Sequence, residues 1–301
     1  MMSFMLFLLM LTSNVELQST VTTSLKTPCT NSYGNISKLI GYCSQVDECK
    51  GGAFIGNCTS SSLICCVLDM SSSISTNKLI TKEIFLKIAG NTPRNDWLYN
   101  FFSESMTKAQ ITTENRAAAY LSQLIGETDY FKSIESVKSE KDDDITIGNN
   151  QTGDGSLFRG RGGILLRGKS NYQLAKNKIT DLAIDLVINP EYAVFPSYAF
   201  KIAAWFWNEN AYIVQSTSLS RKESLNILVD GTFFNFTMLT NSLTNNLQSL
   251  KQRATINDLI LNELNYGTLK RGQGISCSAG ENKNETGFAV PICLAEYFIT
   301  L

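Results

Sequence analysis

The run ENRAAAYLSQLIGETDYF, from Glu114 to Phe131, decides how this chain is to be read. Thr112 or Thr113 can cap a helix here. Ala117, Tyr120, Leu121, Leu124 and Ile125 then recur at the spacing of one helical face, and Gly126 is placed as its stop. Glu127 follows where helix hands over to loop. The negative end of the helix dipole disfavours charge on a carboxylate in that position and raises its pKa, as a general acid needs. Taken alone, an acidic residue at a helix end is most often a solvated surface group. Here a second carboxylate, Glu135, comes eight residues on, followed by a polar stretch and the glycine- and arginine-rich run FRGRGGILLRGKSNY, Phe158 to Tyr172. Two carboxylates held near a glycine-rich turn, where backbone can approach a ligand closely, form the arrangement that glycosidic-bond hydrolysis uses.

Composition narrows the chemistry further. The 301 residues are 43% hydrophobic with a net charge of -1, which describes a globular chain with no positive field to hold nucleic acid or an anionic membrane. There is no histidine. Ser-His-Asp and Cys-His triads and the usual His-containing zinc sites are therefore excluded, and acid/base work falls to Asp, Glu, Lys, Tyr or Cys. A neutral substrate, no cofactor, no metal and a monomeric state are the expectations.

Upstream, MMSFMLFLLML (Met1 to Leu11) has the length of a signal-peptide core and is too short to span a bilayer; we expect a signal peptide over residues 1–20 and a secreted, extracellular protein. Asn35, Asn57, Asn150, Asn235 and Asn284 each head an N-x-S/T triplet usable only in the secretory pathway. Cys29, Cys43, Cys49, Cys58, Cys65 and Cys66 lie together in a stretch with little apolar sequence, which predicts a disulfide-stapled module over 27–68; the spacing leaves its pairing open. Zinc is disfavoured because the C-x2-C pairs are missing. The spacing loosely resembles the clip-type knots that precede some secreted hydrolases. A Ser/Thr-rich linker over 69–77 then leads to a helical domain over 78–301. KLITKEIFLKIAG and a shorter segment around Trp97 to Ser103 predict helices. So do Ser220 to Val229, Met238 to Leu250 and Thr255 to Leu264, with Cys277 and Cys293 closing a C-terminal loop. KSEKDDD reads as a solvated charge run without the pattern of a calcium loop.

In order along the chain, NRAAAYLSQLIGETDYF, FRGRGGILLRGKSNYQLA and DLVINPEYAVFPSYAFKIAAWFW (Asp185 to Trp207) resemble the catalytic domain of family 19 glycoside hydrolases, the chitinases. The resemblance implies a mainly α, two-lobed lysozyme-like domain that binds chitin or a related N-acetylglucosamine polysaccharide. It implies Glu127 as general acid and Glu135 as the base that activates water, with inversion and the carboxyls roughly 6.5 to 9.5 Å apart. Glu140 is the fallback base. Asn171 and Tyr172 match substrate contacts, Arg159 and Arg161 brace the carboxylates or the cleft wall, and Arg167 and Asp230 stand at further cleft positions. Trp205, Phe206 and Trp207 could stack on sugars, although such a cluster is more often core.

Four features depart from that pattern. Gly126 stands for a histidine, Leu165 for a glutamine, Arg167 for the small hydroxyl residue that helps to hold water, and the family's N-G-G turn is here Asp230-Gly231-Thr232. Two outcomes therefore stay open: an inverting endo-chitinase, or a chitin- or peptidoglycan-binding relative with weakened turnover.

Overall fold

The computed structural model describes residues 27–30, 40–54, 56–69, 77–136, 147–210, 212–215, 220–230, 236–244, 249–264, 275–278 and 292–295. The expected signal peptide, Glu140, the KSEKDDD run, most of the linker and the sequons at Asn35, Asn235 and Asn284 lie outside these residues.

The N-terminal module is a four-stranded antiparallel sheet of β1 (Pro28–Thr30), β2 (Ile40–Ser44), β3 (Gly51–Phe54) and β4 (Ile64–Leu68), in the order β1-β2-β4-β3. Such short strands bury too little apolar surface to hold alone. Three disulfides staple them: Cys29–Cys65, Cys43–Cys58 and Cys49–Cys66. The adjacent Cys65 and Cys66 point to opposite faces of β4, as neighbours in a strand must, and so can bond to partners in different parts of the sheet.

Helices make up the rest of the core: α1 (Lys82–Ala89), α2 (Pro93–Lys108), α3 (Glu114–Thr128), α4 (Asp154–Leu157), α5 (Lys169–Lys178) and α6 (Pro196–Trp205). The hairpin of β5 (Tyr212–Gln215) and β6 (Ser220–Glu223) follows, then α7 (Asn226–Asp230), α8 (Phe236–Leu243) and α9 (Leu250–Leu264). The described residues end with the pair β7 (Ile275–Ser278) and β8 (Ile292–Ala295). The fold is mainly α, with a small disulfide-rich N-terminal module. The backbone register sets Cys277 opposite Cys293. The helix expected over Ser220 to Val229 is in fact strand β6 followed by the short α7, and α2 is twice the expected length because Thr92 caps it and Pro93 opens it.

The central element is α3. Thr113 caps its start, its side chain accepting from the Arg116 amide. Every residue from Ala117 to Ile125 is buried, not only those on the apolar stripe. Three consecutive alanines let neighbours approach on the remaining faces, and its buried polar groups find partners: Ser122 donates to the Ala119 carbonyl and the Gln123 amide to Thr240. Around it packs an aromatic cluster, Phe85 stacked on Phe102 at 4.9 Å and Tyr120 edge-on to Trp207 at 5.0 Å. Trp205 and Trp207 are core residues, the second donating its indole N–H to Asn226. Among the described residues no helix is long and apolar enough to cross a membrane.

Candidate active site

Glu127 sits in the last turn of α3, one residue earlier than the helix end. Gly126 does not stop the helix. Asp129 does, in the left-handed conformation at φ 45°, and Tyr130 and Phe131 follow at φ 59° and 64°. Gly126 has a different use. A Cβ there would lie 2.6 Å from Cγ and 2.7 Å from Nε of Arg253, so the bare glycine is the space through which this α9 arginine reaches α3. Its guanidinium donates to Glu127 Oε1 at 2.8 Å, to the Gln123 carbonyl and side-chain oxygens at 3.1 and 3.0 Å, and to Ser249 Oγ at 2.8 Å.

The Glu127 carboxyl is 10% exposed and Arg253 3%. Burial raises the proton affinity of Glu127 above the ordinary carboxylate range, against the pull of Arg253 and of Arg167. The expected direction holds, but desolvation rather than the helix dipole leads it. Arg167 is exposed, and Asn171 beside it donates to the Arg167 carbonyl at 2.9 Å.

Glu135 lies in a different setting. Its backbone bridges to Arg161, which in turn bridges to Leu166, so three pieces of chain lie side by side as a minimal antiparallel ladder. Glycines make this possible. At Gly160 a Cβ would meet Ser136 Oγ at 3.0 Å and the Leu165 carbonyl at 3.1 Å, and Gly162 turns the chain at φ 83°. The ladder aims two arginines at one carboxylate: Arg159 through Nη2 and Arg161 through Nε, the latter at 2.9 Å, both onto Glu135 Oε1. All three side chains are 2% exposed. Behind them the fully buried Tyr172 hydroxyl donates to the Arg159 carbonyl and accepts from Arg161. Burial raises the Tyr172 pKa, so the phenol stays neutral.

The residues named from sequence thus fall into three places. Glu127 feels the charge of the exposed Arg167, to whose carbonyl Asn171 donates. Glu135, Arg159, Arg161 and Tyr172 form a closed cluster, in which Tyr172 is fully buried and hydrogen-bonded to both arginines. Asp230 belongs to neither: it pairs with Arg116 in the first turn of α3, its two oxygens 2.9 and 3.1 Å from Arg116 Nε, about 16 Å along the helix from Glu127. Asp230 thus stands at the opposite end of α3 from Glu127, paired with Arg116 and partly exposed.

Three side chains escaped sequence reading. Arg253 lies on the buried stripe of α9 (Leu250, Arg253, Ala254, Asn257, Ile260), where a charge at an apolar position was the available signal. Glu191 is buried beside the arginine cluster, and burial raises its pKa against the fields of Arg161 and Arg159; its Oε1 has no hydrogen-bond partner among the described residues. Arg94, buried at the start of α2, is the third.

No protein-family model matches the chain, and no curated protein sequence does. Among solved structures it is similar to chitinase C from Streptomyces griseus HUT6037, at 18% identity and a TM-score of 0.47 over 64% of this chain and 93% of that one. A bacterial family 19 chitinase matches at 17% identity and a TM-score of 0.46, over 62% of this chain and 95% of that one. The class IV chitinase of family 19 from Zea mays matches at 16% identity and a TM-score of 0.45, over 64% of this chain and 94% of that one. At such identity and overlap the likeness is partial, and the role of each residue stands on its own surroundings.

Proposed function

We propose that this is a secreted glycoside hydrolase of the chitinase type, which cleaves β-1,4-linked N-acetylglucosamine polymers with Glu127 as general acid. The observation that carries this is the state of Glu127: a mostly buried carboxyl with raised proton affinity, fixed at a helix end by Arg253 and left accessible on one side. Such a group holds a proton closer to neutrality and delivers it to the departing glycosidic oxygen. Glu135 is the partner carboxylate. In an inverting reaction it takes a proton from water on the opposite face of the sugar.

One observation favours a second reading, a chitin- or peptidoglycan-binding protein with weakened turnover. Glu135 is enclosed by its two arginines, and a base must meet water.

The deciding experiment incubates the purified protein with chitin oligosaccharides, wild type beside Glu127→Gln and Glu135→Gln, with products and anomers followed by NMR. We expect α-anomeric first products, loss of cleavage by about a hundredfold or more in Glu127→Gln, and a wild-type rate that falls as pH rises through the raised Glu127 pKa. Binding without cleavage in the wild type selects the second reading.

A further inference from the structure

We propose that Arg94 is a positioning residue for the Glu135 turn, and that through it the cysteine-rich module forms part of the scaffold of the site. Residues 129–131 all lie in the left-handed region, although none is glycine. Each such residue costs free energy and persists only where its surroundings over-determine it. Two contacts do so at Phe131. Its ring is buried between Phe85 and Phe200, at 5.5 and 5.9 Å. Its carbonyl accepts from Arg94 Nε at 3.4 Å.

The same guanidinium donates through Nη1 to the Cys49 carbonyl at 2.8 Å and the Gly51 carbonyl at 3.2 Å, both in the module. One cation therefore spans the module and the turn. Its location is unfavourable in itself: it is fully buried, in the first turn of a helix where the dipole repels positive charge. Three carbonyl acceptors on two different segments and the field of Asp47 act against that cost, while its Nη2 has no hydrogen-bond partner among the described residues.

A second contact runs in parallel. Ile134, next to Glu135, packs in one small core with Cys49, Cys65 and Cys66 of the module and with Val194 and Phe195. Its carbonyl accepts from the Gly162 amide at 2.9 Å, and the Ser136 amide donates to Gly160 at 2.8 Å. Glu135 thus stands on a peptide tied on one side to the arginine strand and backed on the other by the module. That Glu135 takes part in hydrolysis rests on the functional reading above; how its turn is held does not.

The test is amide hydrogen exchange on the full chain, wild type beside Arg94→Lys, which keeps the charge but gathers its donors on one nitrogen, without the Nε-to-Nη1 spread that meets Phe131 on one side and Cys49 and Gly51 on the other. Gly52→Ala is the milder companion, since its Cβ would press on Phe195 and Val194 at 3.2 Å and leaves the Arg94 side chain itself unchanged. The expected result is exchange about tenfold faster in residues 128–136 and at Gly162 in both variants, with α9 unchanged. Where the wild type hydrolyses oligosaccharide, kcat falls about tenfold while KM holds. Acceleration confined to residues 40–68, or uniform over all helices, overturns the proposal, and it does so even if the protein proves to be no hydrolase.

Discussion

At the scale of single residues, the site is governed by how few waters reach its charges. Glu191 is the plainest case. Desolvation raises its pKa, so between the ordinary carboxylate value and that raised value the folded protein binds more protons than the unfolded chain, and stability falls as pH rises across this window. Above the window the full cost of the buried charge remains. Glu191→Gln is therefore expected to stabilise the protein at neutral pH, with the gain lost as pH falls below the ordinary carboxylate range, as read from denaturant midpoints at a series of pH values. A loss at pH 7 would mean that Arg159 and Arg161 depend on its negative charge. Gly126 makes the complementary case for space. In an exposed helix, glycine to alanine gains about 1 kcal/mol; here the added methyl meets Arg253 at 2.6 Å and must dislodge a guanidinium with partners on Gln123, Glu127 and Ser249. Gly126→Ala is expected to destabilise by roughly 1 to 3 kcal/mol, and Gly126→Ala in an Arg253→Ala background to be neutral or favourable. A double-mutant cycle of melting curves reads that coupling.

At the scale of elements, what was legible divides by range. The existence of α3, its Thr113 cap and the glycine-rich turn were readable because apolar period, capping hydroxyl and glycine density are local signals. Its end was not. Gly126 looked like a stop because glycine usually supplies the left-handed residue, yet its missing side chain serves a contact with Arg253, 127 positions away, which no window of sequence encodes. Glu127 and Glu135 were picked out from local sequence, but their unequal surroundings were not, since these depend on a ladder closed by Arg161 and Leu166. With Gly126 spent on packing, Asp129 carries the left-handed turn, exposed at φ 45° and ψ 64°, its amide closing the helix onto the Ile125 carbonyl. A residue without a Cβ adopts that conformation freely. Asp129→Gly is expected to raise stability by about 0.5 to 1 kcal/mol and to leave the Glu127 ion pair in place; a fall in midpoint would show that the aspartate carboxyl contributes more than its backbone costs.

At the scale of the whole molecule, the boundary suggested by the Ser/Thr-rich segment over 69–77 is a boundary of sequence composition more than of packing. The cysteine-rich module shares a core with Ile134, Val194 and Phe195, Arg94 reaches its backbone from α2, and Asp69 accepts from the Ser197 amide at the start of α6 at 3.1 Å. Units that share buried side chains melt together. The Cys49–Cys66 bond closes a separation of 17 residues, and by loop-closure entropy its removal costs about 3 kcal/mol. If the module were a tethered bead, that loss would stay local and calorimetry of Cys49→Ser with Cys66→Ser would show a new low-temperature transition beside an unmoved main one. Because the module backs the peptide that carries Glu135, the expected outcome is a single heat-absorption peak displaced as a whole by roughly 6 to 12 °C, with the intrinsic fluorescence of the buried Trp205 and Trp207 changing at that same lowered temperature.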